Sequence, residues 1–178
     1  IVMITIWFEP HSTTIDNEAG RASGWNDIDL SKLGVEQTKQ PIQRSRERKI
    51  QVIFTSDLQR AVKTAVPTAD ELKIPIYVDA RLRECDYGDF TQKPKGEIDA
   101  QKPKRITESY PNGESYAQCA ERVGEFLKWL KTNFDGQTVM IVGHRATQYG
   151  LEHHIVGKPL LDCVTEPWSY QPGFKYEL

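Results

Sequence analysis

The chain reads as an α/β protein, a three-layer α/β/α sandwich around a mostly parallel central sheet, and three observations predict this. Short apolar runs rich in Val and Ile recur at 2–8, 51–55, 75–78 and 138–142, the pattern of strands buried on both faces. Between them the apolar period lengthens to that of a helix. At 178 residues there is room for one full core and not for two ordinary domains, so residues 1–178 are expected to form a single domain.

Taken in order, the run at 2–8 is stopped by Glu9 and Pro10 well short of a membrane span, and it lacks the basic flank of a secretory leader, so it reads as a buried first strand. A weaker helix is expected over 31–48, entered through Ser31 and disturbed by Pro41. After the strand at 51–55, Leu58, Ala61, Val62, Ala65, Ala69 and Leu72 form one helical stripe. Ser56 or Asp57 is its expected N-cap, and it must end before Pro75. The stretch 87–113 is rich in Pro, Gly, Lys and Arg without an apolar period, and reads as a short cap-like insertion over a site. A second stripe follows in Tyr116, Cys119, Ala120, Val123, Leu127 and Leu130, leading to the strand at 138–142. Strands alternating with helices give the sandwich.

Composition narrows the function. Lys and Arg number 23 against 25 Asp and Glu, a formal charge of −2, which argues against a nucleic-acid partner. The basic cluster at 44–49 reads as a solvated helix end. Cys85, Cys119 and Cys163 form no CxxC pair, so a reducing, cytoplasmic setting and a packing role are expected. Adjacent His153 and His154 would point about 100° apart on a helix and share no face, so no metal site is expected. Trp7, Trp25, Trp129 and Trp168 read as core or pocket wall. No membrane partner is expected, and a homodimer is left open.

The candidate site begins with His11 and His144, each just past a strand-like run. Ligands in open α/β sheets bind beyond the carboxyl ends of the strands, so two distant histidines emerging there can face one pocket. The segments Ser56-Asp57-Leu58-Gln59-Arg60-Ala61 and Leu82-Arg83-Glu84 also follow strand-like runs. Together these segments supply two imidazoles, a guanidinium and a carboxylate. An arginine in the first turn of a helix opposes the macrodipole, which points to a ligand for Arg60.

Read together, Phe8-Glu9-Pro10-His11-Ser12-Thr13-Thr14, Asn17, Arg21-Ala22-Ser23-Gly24-Trp25, the 56–65 segment, Leu82-Arg83-Glu84 with Tyr87-Gly88, Tyr110-Pro111-Asn112-Gly113-Glu114-Ser115 and Val142-Gly143-His144 resemble the histidine phosphatase (phosphoglycerate mutase-like) superfamily. The motifs fall in the family's order over nearly the whole chain. The resemblance implies that His11 is a nucleophile that takes the phosphoryl group. It places Arg60, His144 and Asn17 on the phosphate oxygens and makes Glu84 the proton donor to the leaving group. Ser23, Gly24, Tyr87 and Lys95 match substrate positions of the mutase branch. Neither metal nor cofactor is implied, and the substrate would be a small phosphorylated metabolite. The roles suit the chemistry: neutral imidazole is nucleophilic near pH 7, guanidinium fits phosphate bidentately, and a carboxyl can give a proton and take it back.

One departure is prominent. The family's Arg-His-Gly is here Pro10-His11-Ser12, followed by Thr13 in place of an acidic residue. Loss of a charged donor at a desolvated phosphate costs about 2.7–4 kcal/mol by analogy with oxyanion holes. Arg145 or Arg21 is expected to supply the missing charge, with the Ser12 and Thr13 hydroxyls as weaker donors. The expected function is a metal-independent phosphomonoester hydrolase. Phosphoglycerate mutase is the enzyme alternative, suggested by Ser23-Gly24-Trp25-Asn26-Asp27, and the short insertion favours the hydrolase because water is less excluded. The other alternative is a phosphoanion-binding protein in which Pro10 has ended catalysis. The insertion's Lys93, Lys95, Lys102, Lys104 and Arg105 are candidates for attracting a second anionic group.

Overall fold

A computed structural model describes residues 2–178, so Ile1 of the expected 1–178 domain lies outside the described residues. Five strands, β1 (Thr5–Pro10), β2 (Val52–Thr55), β3 (Ile76–Val78), β4 (Thr138–Gly143) and β5 (Phe174–Glu177), form one sheet in the order β3-β2-β4-β1-β5. The first four are parallel and β5 runs antiparallel to β1. The helices are α1 (Ile15–Ala19), α2 (Lys32–Gln37), α3 (Gln40–Glu47), α4 (Gln59–Leu72), α5 (Lys95–Gln101), α6 (Tyr116–Asn133), α7 (Arg145–Leu151) and α8 (Leu160–Thr165). None is long and apolar enough to cross a membrane among the described residues.

Alternation along the strands makes the layers. Ile6, Phe8, Val52, Phe54, Val139 and Ile141 point to one face and pack with Val123, Phe126, Leu127 and Leu130 of α6. Their neighbours Trp7, Ile53, Met140 and Val142 point to the other and meet Ala61, Ala65 and Ala69 of α4. Both faces of β1, β2 and β4 are covered, which is why these strands read as continuous apolar runs; β3, whose run at 75–78 reads the same way, is instead an edge strand with Tyr77 and Val78 exposed.

Several expectations are corrected. The helix expected over 31–48 is two, α2 and α3, because Pro41 sits in the first turn of α3, where its missing N–H would have no intrahelical partner anyway. Ser31 does cap α2, accepting from Gly34 N at 3.1 Å. Neither Ser56 nor Asp57 caps α4: Leu58 holds that position without a side-chain bond. Ser56 is committed to His144 and Asp57 to Arg83. The cluster at 44–49 is not simply solvated. Arg44 grips the buried Glu9 carboxylate with two bonds of 2.7 and 2.9 Å, and Arg48 adds a third at 3.3 Å while lying 3.7 Å over the Trp7 ring. Within the 87–113 insertion, α5 buries only Ile98. The unforeseen β5 is a half-exposed edge strand that follows an irregular segment.

The topology sets the site. Pro10 is in register with Gly143, and His11 N continues the ladder by donating to Gly143 O at 3.0 Å. His11 and His144 therefore leave adjacent strands side by side, at the carboxyl end of the sheet.

Candidate active site

A cleft of about 970 Å³ opens at this end of the sheet. Its wall includes the catalytic and phosphate-binding candidates His11, Ser12, Thr13, Asn17, Arg21, Ser23, Gly24, Arg60, Glu84, Tyr87, His144 and Arg145, together with Lys95 and Lys102 but not Lys93, Lys104 or Arg105.

The two imidazoles lie 5.2 Å apart between ring centroids. His11 Nδ1 is 2.7 Å from Ser12 O. A carbonyl only accepts, so Nδ1 carries the hydrogen and, in the neutral ring, Nε2 holds the free lone pair. Burial, with the Arg60 charge in support, lowers the His11 pKa to about 4, so the ring is neutral at physiological pH. Thr64 fixes the neighbouring backbone by accepting from Ser12 N at 2.9 Å and donating to Arg60 O at 2.7 Å.

His144 is the N-cap residue of α7 and is fully buried. Its Nε2 meets Ser56 Oγ at 2.7 Å, and its Nδ1 is buried without a partner. Burial, then the charge of Arg60, holds its pKa well below the ordinary histidine value. Because the Ser56 hydroxyl can donate or accept, either tautomer of His144 is accessible.

Arg60 is buried on α4 and donates to Asn26 O (3.0 Å) and Gly24 O (2.7 Å), while its Nε has no partner. No carboxylate lies within ion-pair distance of it among the described residues. Desolvation accordingly pulls its pKa down. A buried cation without a counter-ion is costly unless a ligand completes it. Gly24 suits its place: its φ is +52°, and a Cβ there would come within 3.0 Å of Tyr87 and 3.3 Å of Cys85 O.

Glu84 is buried without pairing to Arg81 or Arg83, which bind Asp79 and Asp57 instead. Its Oε1 accepts from Cys85 N at 2.8 Å and from Ala146 N in the first turn of α7 at 3.2 Å, which leaves Oε2 as the uncommitted oxygen. The Trp25 indole donates to Glu84 O at 2.7 Å.

The remaining predicted residues are less committed to the centre of the cleft. Asn17 closes the capping box of α1 with Thr14. Thr13 N donates to Gln37 Oε1, and Ser23 donates to the buried Asp16 at 2.8 Å. Arg21 and Lys95 are exposed at the mouth. Arg145 runs along α7 to Gln148 Oε1 at 2.6 Å, one turn away from His144. Of the insertion's cations, Lys93, Lys102, Lys104 and Arg105 pair with carboxylates, which leaves Lys95 alone unpaired. Trp168, read from the sequence as core or pocket wall, and Lys102, one of the insertion's candidate cations, both line the cleft, whereas sequence reasoning missed Tyr170, from the irregular segment before β5, and Tyr149 on the far wall. Only a contact between remote segments marks them, and no local pattern reveals it.

The free thiols Cys85 and Cys119 are buried and approach Glu114 to within 4.8 Å. The space is taken by Arg122, which binds Glu114 at 2.9 and 2.8 Å and touches Cys119 Sγ at 3.5 Å. His153 and His154 each bond a backbone carbonyl, of Lys158 and Ala120 respectively.

A mostly parallel sheet that ends in two neutral imidazoles, an uncompensated guanidinium and a carboxylate defines a phosphomonoesterase of the phosphoglycerate mutase-like kind. The profile of the histidine phosphatase superfamily (branch 1) matches residues 6–167, and the chain belongs to that family. Phosphoserine phosphatase 1 of Hydrogenobacter thermophilus is 27% identical over 176 residues, covering 94% of this chain and 82% of its own. Phosphoglycerate mutase 1 of Saccharomyces cerevisiae is 29% identical, with 83% and 76% covered. Among solved structures, a mycobacterial glucosyl-3-phosphoglycerate phosphatase complexed with VO3 superposes with a TM-score of 0.80 at 25% identity, covering 92% of this chain and 86% of that one. YhfR of Bacillus stearothermophilus gives 0.81 at 28%, with 95% and 88% covered.

Proposed function

We propose that the protein is a metal-independent phosphomonoester hydrolase that works through a phosphohistidine on His11. The observation that carries this reading is the His11 ring itself: neutral, with Nδ1–H tied to Ser12 O, and with Nε2 free in the cleft beside a buried Arg60 that lacks a counter-ion.

In the first step Nε2 attacks phosphorus, the bond from phosphorus to the ester oxygen breaks, and the leaving alkoxide takes the proton of Glu84, carried on Oε2. The Ser12 carbonyl supports the positive ring that forms. In the second step the Glu84 carboxylate takes a proton from water as that oxygen attacks phosphorus. The P–N bond breaks, inorganic phosphate departs, and His11 returns to the neutral form. Arg60 and His144 hold the phosphate oxygens. The anion selects the His144 tautomer in which Nδ1–H donates to it and Ser56 O–H donates to Nε2, so both orphaned groups are satisfied at once. Asn17, Ser12 and Thr13 add neutral donors, and Arg21 adds charge at the mouth. Ser23, Gly24 and Tyr87 shape the wall near the leaving group. The partner is a small phosphorylated metabolite. The open cleft and short insertion favour water over a second alcohol as acceptor, and three free thiols suit a reducing, cytoplasmic setting.

The test is phosphate release from an aryl phosphate across about pH 5 to 8, with chelator present and with His11→Ala alongside. Turnover that survives chelation, with a phosphohistidine that the variant cannot form, is expected; a rate loss of about 10⁴-fold or more suits a removed nucleophile. Equal turnover by the variant would overturn the reading. Saturable phosphate binding with neither turnover nor phosphohistidine would identify a binding protein disabled by Pro10, and isomer exchange on a phosphoglycerate would identify a mutase.

A further inference from the structure

Arg145 stands out among the charges of the cleft. Its guanidinium lies 4.8 Å from the Tyr149 ring centroid and 5.1 Å from that of Trp168, and its one hydrogen bond, to Gln148 Oε1, is to a neutral group. Gln148 is itself buried and fixed by Trp168 Nε1 at 3.0 Å and by Tyr176 at 3.2 Å. No carboxylate neutralises Arg145, and those lining the cleft are all held elsewhere. Glu9 is bound by Arg44, Asp99 by Lys102, Glu166 by Lys158, and Glu84 by two backbone amides.

An arginine held against two aromatic rings and bonded to a fixed Gln148 has less rotamer freedom left to lose, so its remaining N–H donors are presented at a reduced entropic cost. Arg21 and Lys95, by contrast, are exposed and unclamped. The clamp also fixes where the charge sits. It lies by Gln148 and Tyr149, a turn of α7 beyond His144, whereas Arg60 occupies the place beside the two imidazoles.

We infer that Arg145 is a specificity residue that binds a second anionic group on the substrate, so that the preferred esters join a phosphate to a carboxylate or to a second phosphate. This rests on the reading of His11, Arg60 and His144 as the phosphate site and deepens it. Arg145 then acts on the alcohol part of the ester and does not stand in for the arginine that Pro10 replaces. The Trp168 segment, which clamps Arg145, becomes the element that sets selectivity.

Phosphonates test this without hydrolysis, because their C–P bond is not cleaved. Dissociation constants would be measured by calorimetry for methylphosphonate, 3-phosphonopropionate and propane-1,3-bisphosphonate, with the wild-type protein, Arg145→Gln and Arg145→Lys. One or both of the two-anion ligands should bind about tenfold or more tighter than methylphosphonate to the wild type, as suits one charge-assisted bidentate contact; which one does so tells carboxylate from phosphate. Arg145→Gln should abolish that preference while leaving methylphosphonate within about threefold, as expected of a screened charge at a distance. Arg145→Lys, which keeps the charge without the fork, should retain part of it and guards against a folding defect in the first variant. Equal weakening of all three ligands would place Arg145 on the reacting phosphate. An absent preference, or one that survives Arg145→Gln, would likewise overturn the inference. A preference that behaves as expected in a protein that forms no phosphohistidine would overturn the hydrolase reading alone.

Discussion

Two buried charge centres lie by the end of β1, one at Glu9 within the strand and one around His11 just past it, where Arg60 of α4 supplies the charge, and they are built on opposite plans. At Glu9 a carboxylate is enclosed by Arg44 and Arg48, with every strong interaction answered inside the protein. Beyond His11, Arg60 is equally buried but meets only carbonyl oxygens, and its Nε and His144 Nδ1 are left without partners. The first centre is complete within the protein, whereas the second is left open, and on the proposed reading the substrate's phosphate completes it. Burial of charge is therefore not by itself a sign of function; what distinguishes the candidate site is the missing counter-charge.

Mutations can sharpen the contrast. The largest effect on stability is expected from Glu9→Gln, which leaves two half-buried guanidinium groups facing each other; removal of one partner of a buried pair costs roughly 3 to 5 kcal/mol. A melting temperature unchanged from the wild type would show that solvent already screens that centre. Arg60→Met should lower turnover by about 10²- to 10³-fold, the usual effect of losing one preorganised donor. Its stability should stay within about 1 kcal/mol, because relief of an uncompensated charge offsets two lost hydrogen bonds. Equal destabilisation by the two variants would break the comparison. The smallest effect lies in the pH dependence of stability. His11 titrates at about 4 when folded and near 6.5 when unfolded. Between those values the unfolded chain binds a proton that the folded one does not, so stability is lost as pH falls from about 6.5 towards 4. His144, lowered in the same sense, adds to the slope. Thermal melts between pH 7 and 4.5 should show a shallower decline for His11→Gln, and an unchanged slope would mean that other groups govern the acid limb.

The sequence was legible where physics acts locally. The strands with both faces covered announce themselves as apolar runs, and the stripe from Tyr116 to Leu130 matches the buried face of α6. His11 and His144 could be paired because strand ends in a parallel sheet converge on one edge. What stayed hidden depends on distant contacts. Phe174–Glu177 is an edge strand whose alternate residues are exposed, so it lacks an apolar run. Ser56 looks like a cap until His144 is seen to claim its hydroxyl. Arg44 and Arg48 look solvated until Glu9 is seen beneath them. The Trp168 segment has no periodicity at all; its importance comes from Arg145 and Gln148, about twenty residues earlier in the chain.

The loop that carries Trp25 touches both halves of the proposed reaction. Gly24 and Asn26 hold the Arg60 guanidinium through their carbonyls, Trp25 holds the Glu84 backbone, and Asp27 holds Gln59 N at 2.8 Å. One short loop therefore anchors both Arg60 and the Glu84 backbone, the groups that the proposed reaction uses to hold phosphate and to supply the proton. A shared anchor of this kind ties their separation to the geometry of a single loop, and on the proposed reading it is that separation that must match the span from a phosphate oxygen to the ester oxygen of the bond being broken.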